Sequence, residues 1–158
     1  MVSIEWCLKQ KNGLEIISLN RNMSESYLKM AEESIAVLPK VSESGIWTAT
    51  ISYYIYYYSL YALMLRIGIK CEIHSCSIEF MKTCLEEFYS KEEVDGFEEA
   101  FGARIDLQYY ANRPVDKEAV KKASKGCKAF FIKTKSMLST IREKQIEKIR
   151  ENLAGKVR

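Results

Sequence analysis

The stretch Gly45–Gly68, GIWTATISYYIYYYSLYALMLRIG, decides the fold: it is the longest apolar segment of the chain and holds six tyrosines. Ile46, Thr50, Tyr53, Tyr57, Leu60, Met64 and Ile67 recur at helical spacing, and a second stripe runs through Trp47, Ile51, Tyr54, Tyr58, Tyr61 and Leu65. A helix that is apolar around most of its circumference belongs at the centre of a protein. Gly68 is a natural stop, because glycine takes the left-handed conformation that ends helices without a steric penalty. The length would also cross a bilayer. However, Thr48, Thr50, Ser52, Ser59 and Arg66 interrupt the run, and tyrosines crowd its middle, whereas a membrane helix carries them near its ends. The stretch is therefore read as a core helix whose phenol hydroxyls find partners on neighbouring helices or across a subunit interface.

The rest of the chain is consistent with packing around that helix. At 158 residues and 47% hydrophobic, it is long enough for one domain with a sizeable core. Two prolines and seven glycines are few for an all-β protein, and the long helical periodicities give an all-α class. The start, MVSIEWCLKQKNG, lacks a long apolar core followed by a small-residue cleavage site, so no export signal is expected and the location expected is cytoplasmic. Five cysteines (Cys7, Cys71, Cys76, Cys84 and Cys127) form no regular framework, which fits reduced thiols in a cytosolic protein.

In chain order, residues 3–11 read as a short helix capped by Ser3 and ended by Asn12-Gly13. Leu14–Leu19 is a brief apolar run. A second helix starts near Asn22 or Ser24 and reaches about Leu38, where Pro39 and the Ser42–Gly45 cluster stop it. It forms an antiparallel pair with the tyrosine helix that follows. Ser75 or Ser77 can cap a helix through about Tyr89; a further helix covers Lys91–Ala111 and breaks at Asn112-Arg113-Pro114; Asp116 caps the last one. Residues from Arg142 onward read as a fraying extension or a partner-dependent helix. No repeat or low-complexity linker divides the chain, so residues 1–158 are read as one domain. Its charge is uneven: residues 117–158 carry thirteen Lys/Arg against four Asp/Glu, while residues 1–116 are net acidic. The basic segment is either a solvated terminal helix or an arm that meets nucleic-acid phosphates or an acidic partner. The acidic run between Glu79 and Glu99 reads as an exposed face.

No P-loop, dinucleotide-binding glycine pattern or HExxH occurs. Cys71-x2-His74-x-Cys76, with Cys84 beyond, matches no paired zinc-ligand spacing, so neither a metal nor another cofactor is expected. His74 is the only histidine, so any histidine-assisted chemistry has to use it. The segment FGARIDLQYYANRP, Phe101–Pro114, is more informative. At 100° per residue Arg104, Gln108 and Ala111 lie near one helix line, Asp106 and Tyr110 on another, with Tyr109 between. Arg104 is a candidate phosphate clamp, and Asp106 a group that orients a tyrosine hydroxyl or pairs with an arginine. The same residues would also serve as a purely structural network holding helices or subunits together.

The tyrosine block YYIYYYSLYALMLRIG, the His74-Ser75 that follows, and Arg104-x-Asp106-x-x-Tyr109-Tyr110 together resemble the HEPN superfamily, small prokaryotic all-α proteins often encoded beside minimal nucleotidyltransferases. The resemblance covers about residues 22–140, leaving an amino-terminal extension (1–21) and a basic tail (141–158). It implies an up-and-down antiparallel bundle of four to five main helices that forms a homodimer, with a cleft near the dimer interface. Many members are metal-independent ribonucleases, including toxins of toxin–antitoxin pairs; others are noncatalytic binding modules. The ribonucleases carry an arginine followed four to six residues later by a histidine. From Arg104 those places hold Tyr109, Tyr110 and Ala111.

The missing histidine leaves the base role without a matching residue, because an ordinary tyrosine, with a pKa of about 10, is a poor base at neutral pH. The function expected from the resemblance is a dimeric module that binds RNA, a nucleotide or a nucleotidyltransferase partner, in a toxin–antitoxin-like or defence system. Arg104, Gln108, Tyr53 and Tyr54 are its candidate binding residues. The alternative is an active ribonuclease in which Arg104, Asp106, Tyr109 and Tyr110 form the site and Tyr110 or His74 moves protons. A purely structural dimerisation module is the third reading. One or two tyrosines, Tyr53 or Tyr54, are expected to present hydroxyls toward the Arg104 helix.

Overall fold

In the computed structural model, which describes residues 2–157, the tyrosine-rich stretch is one unbroken central helix. Along the chain come α1 (Ile4–Lys9), β1 (Glu15–Ile16), α2 (Arg21–Val37), a 3₁₀ turn (Leu38–Val41), α3 (Gly45–Ile67), β2 (Ile69–Lys70), α4 (His74–Cys84), α5 (Lys91–Tyr109), α6 (Lys117–Thr140) and α7 (Glu143–Gly155). The all-α class holds, since helices pack against one another and the two short strands are the only sheet among the described residues. None of the described helices is long and apolar enough to cross a membrane.

Local chemistry sets the boundaries. Ser3, Asn20 and Ser44 each accept the backbone N–H three residues on, and Ser90 forms a reciprocal capping box with Glu93. Asp116 Oδ1 accepts from the amides of Glu118 and Ala119, both at 3.1 Å. Gly68 ends α3 at φ +84°. A Cβ there would lie 2.7 Å from the Ile17 carbonyl oxygen, so the residue must be glycine on two counts.

α3 is enclosed by α2, α5 and α6. On the α2 side the contact is close enough for Ser24 Oγ to donate to the Ala62 carbonyl at 2.6 Å. On the other side Tyr56 wedges between α5 and α6, its ring 5.2 Å from Phe97 and 4.9 Å from Phe130. Its hydroxyl occupies the space that a Cβ would fill at Gly126 (2.2 Å) and crowds one at Gly96 (3.1 Å). Two glycines inside helices, each of which costs about 1 kcal/mol in propensity relative to alanine, thus make room for one buried phenol. Tyr89 is satisfied by a 2.7 Å hydrogen bond with Thr134 Oγ1, as expected for buried tyrosines.

Three expectations need correction. The segment after Arg142 is neither a fraying extension nor in need of a partner. It forms α7, which buries Ile146, Ile149 and Leu153, and Arg150 Nη1 donates to the carbonyl oxygens of Ile17 (2.8 Å), Ile67 (3.0 Å) and Gly68 (3.0 Å). A cation on the last carbonyls of α3 complements that helix's dipole. The cysteines are not all reduced: Cys7 and Cys76 form a disulfide, with Cα atoms 5.5 Å apart. Packing of α1 against α4 brings them together across 69 residues, a loop whose closure stabilises by about 4 kcal/mol in the chain-entropy account. Cys71, Cys84 and Cys127 are free and buried. Finally, α4 stops at Cys84 rather than near Tyr89, because the chain turns there to bury Leu85 and Tyr89. The amino-terminal segment is further held by β1, which pairs antiparallel with β2, Ile16 opposite Ile69.

Candidate functional site

Arg104 leaves the middle of α5 and points at the tyrosines of α3. Its Nη2 donates to Tyr54 Oη at 3.3 Å. Its guanidinium carbon lies 5.0 Å from the Tyr53 ring centroid and 5.2 Å from that of Tyr54, within cation–π range of both. One turn on, Gln108 Nε2 donates to Thr50 Oγ1 at 3.1 Å. The Arg104–Gln108 line of α5 therefore faces the Thr50–Tyr54 line of α3, as their spacing requires.

Tyr53 is fully buried and carries the site to a third element. Its hydroxyl bonds Nδ1 of His74, the first residue of α4. The imidazole stacks on Tyr57 with ring centroids 4.1 Å apart and planes 4° from parallel. Burial, with a smaller contribution from the Arg104 charge, pushes the His74 pKa below its ordinary value, so the ring is neutral at pH 7. Burial also drives the Tyr53 phenol pKa strongly upward, so the phenol stays protonated. The two groups share one hydrogen bond, in which the phenol donates to Nδ1 or accepts from Nδ1–H according to the tautomer.

Arg104 has no ion-pair partner among the described residues, and its Nε is buried without a hydrogen-bond acceptor. A guanidinium held among aromatic rings without a carboxylate leaves its charge uncompensated. Tyrosine faces nearby add stacking surface: Tyr54 and Tyr58 stack at 5.1 Å, and Tyr58 continues to Tyr27 at 5.9 Å.

The other residues read from the motif lie elsewhere. Asp106 pairs with Arg113, the second of its two expected roles, and Arg113 also covers the Tyr110 ring at 3.8 Å. Tyr109 is 68% exposed and Tyr110 is 44% exposed. This Asp106–Arg113–Tyr110 group is separate from Arg104, so the four motif residues do not converge on one centre. His74 does join Arg104, through Tyr53. Sequence reasoning missed Thr50 and Tyr57 as partners, although both lie on the Tyr53 stripe of α3. Among the described residues no group of three or more His, Cys, Asp and Glu is placed to hold a metal.

No family model, curated protein or solved structure matches this chain.

Proposed function

We propose that this protein is a HEPN-type module that binds RNA or a nucleotide through a phosphate held by Arg104. The observation that carries the reading is the half-buried Arg104 guanidinium, faced by Tyr53 and Tyr54 and lacking a carboxylate, with its Nε unbonded. A phosphate oxygen at the guanidinium offsets that charge. Bases then have the Tyr54–Tyr58 faces to stack on, at about 1–3 kcal/mol per base. The homodimer, the nucleotidyltransferase partner, the toxin–antitoxin-like or defence setting and the cytoplasmic location belong to the same proposal, on the strength of the resemblance. The Cys7–Cys76 disulfide weighs against the cytoplasmic part of that proposal, because disulfides are rare where thiols are kept reduced.

RNA cleavage is the second reading, favoured by one observation: His74 reaches Arg104 through Tyr53. Binding is preferred over cleavage because His74, the only histidine, is held by Tyr53, stacked on Tyr57 and pushed toward its neutral form. Incubating metal-free protein with RNA separates the two readings. Binding that depends on Arg104 with intact RNA is the expected result. Products that disappear in Arg104→Ala and His74→Gln would establish cleavage instead, and Arg104-independent binding would remove both.

A further inference from the structure

The basic residues of the carboxy-terminal part of the chain do not all have the same surroundings. α6 carries seven lysines and one glutamate. Three of those lysines reach acids on neighbouring helices: Lys122 to Glu99 at 2.7 Å, Lys133 to Glu93 at 2.7 Å and Lys135 to Glu32 at 2.6 Å. In α7, Lys148 reaches Glu87 at 2.7 Å and Arg150 is held by carbonyl oxygens. Part of the charge asymmetry is thus met within the fold. Lys117, Lys121, Lys125 and Lys128 are different: all four are exposed and none makes an ion pair among the described residues.

These four lysines line one groove of about 580 Å³ between α6 and the connection from α2 to α3. Pro39, Val115 and Val120 give it apolar surface, and Glu43 is the one acid in its lining. Lys121 and Lys125 also border a second groove on the α5 side, so they form the ridge between the two. Spaced at i, i+4, i+8 and i+11, the four share a helix face and extend about 16 Å along the axis. Like charges on one face repel, and Lys117 sits at the positive end of the helix dipole, where a cation is unfavourable. Helix stability alone would put basic residues in the last turn, where α6 has none.

We propose that this groove binds the phosphodiester backbone of single-stranded RNA, with the lysines as a sequence-independent track. This rests on the RNA-binding reading of the Arg104 site. At a rise of about 3.4 Å per stacked nucleotide, the lysine row matches roughly five phosphates. The groove borders Gly45 and Thr48, while Arg104 bonds Tyr54 of the same helix. Gly45 and Tyr54 are about 14 Å apart along α3 and, nine residues apart, on opposite sides of it, so the groove is a second contact surface distinct from the Arg104 site.

The test is the binding of a short fluorescent oligouridylate, measured across a fourfold range of salt. The proteins compared are wild type, a quadruple variant (Lys117→Gln, Lys121→Gln, Lys125→Gln, Lys128→Gln), a control with the same charge change at other exposed lysines (Lys9→Gln, Lys11→Gln, Lys29→Gln, Lys144→Gln), and Arg104→Ala. Circular dichroism confirms that each is folded. Loss of four backbone contacts flattens the salt dependence by about 2.8 log units per log unit of salt, so the same salt increase weakens wild type about fifty-fold more than the groove variant. The control keeps the wild-type slope. Equal slopes for the groove variant and the control overturn the inference, and if Arg104→Ala still loses binding the Arg104 reading stands without it. Loss in the groove variant with Arg104→Ala unaffected keeps the groove and removes Arg104. Absence of RNA binding by wild type, or binding of anionic lipid vesicles in its place, overturns the groove proposal.

Discussion

The Arg104 guanidinium lies 5.0 Å above the ring of Tyr53, and the hydroxyl of that same ring holds His74. One buried tyrosine therefore links an unpaired cation on α5 to the only histidine, on α4. An arginine kept to hold helices together would be expected to meet a carboxylate, and this one meets aromatic faces and a single phenol oxygen.

That difference separates a binding role from a structural one. Arg104→Met keeps the aliphatic stem and removes the charge. Two cation–π contacts and one hydrogen bond are lost, each about 0.5–1.5 kcal/mol, while the cost of half-burying the charge is relieved. Thermal unfolding is expected to change by no more than about 1.5 kcal/mol. Oligouridylate affinity falls about ten- to a hundred-fold, the worth of a charge-assisted phosphate contact. A large melting shift with unchanged affinity identifies a structural residue.

His74 gives a pH signature. Its folded pKa is lowered, first by burial and then by Arg104, so below about pH 6.5 the unfolded chain binds a proton that the folded protein resists. Stability from this residue is present above the unfolded pKa and is lost as pH falls toward the folded one. Wild type is expected to lose more melting temperature than His74→Gln on going from neutral to mildly acidic buffer. Parallel pH profiles for the two proteins would show that His74 does not titrate this way.

Arg150 fastens α7 to the end of α3 through three carbonyl oxygens. Arg150→Met leaves the Ile17, Ile67 and Gly68 acceptors without that donor. The expected loss is about 2–3 kcal/mol, or roughly 5–10 °C in melting temperature. Amide exchange should speed up in both α7 and the last turn of α3; acceleration in α7 alone would mean that the arginine does not serve α3.

At Gly126 a Cβ would stand 2.2 Å from Tyr56 Oη. Gly126→Ala is expected to destabilise by about 1–3 kcal/mol through overpacking, despite the gain of about 1 kcal/mol in helix propensity. Tyr56→Phe in the same chain, which removes the clashing oxygen, should recover part of the loss. Equal costs with and without that oxygen would place the strain elsewhere.

The parts legible in the sequence were those fixed by local periodicity and caps. α3 was readable because two apolar stripes wrap one helix, and the Ser3, Asp116 and Gly68 boundaries follow from the chemistry of single residues. The meeting of Arg104 with Tyr54 was also readable, since both lie on the inward lines of long helices. What escaped depended on tertiary neighbours. Arg150 looks like one more charge in a polar tail until the end of α3 is beside it. The Cys7–Cys76 bond appears only when α1 docks on α4. The link from Arg104 to His74 needs Tyr53 as intermediary, and two residues that sit close to Arg104 in the motif, Asp106 and Tyr110, turn away to Arg113.

A phosphate oxygen is expected to meet the Arg104 guanidinium. The Nε–H resonance of Arg104, assigned by comparison with Arg104→Lys, reports that group directly. Titration with a short oligouridylate should move it progressively, saturating at the dissociation constant found by fluorescence. A resonance that stays in place while RNA binds elsewhere on the protein would contradict the account.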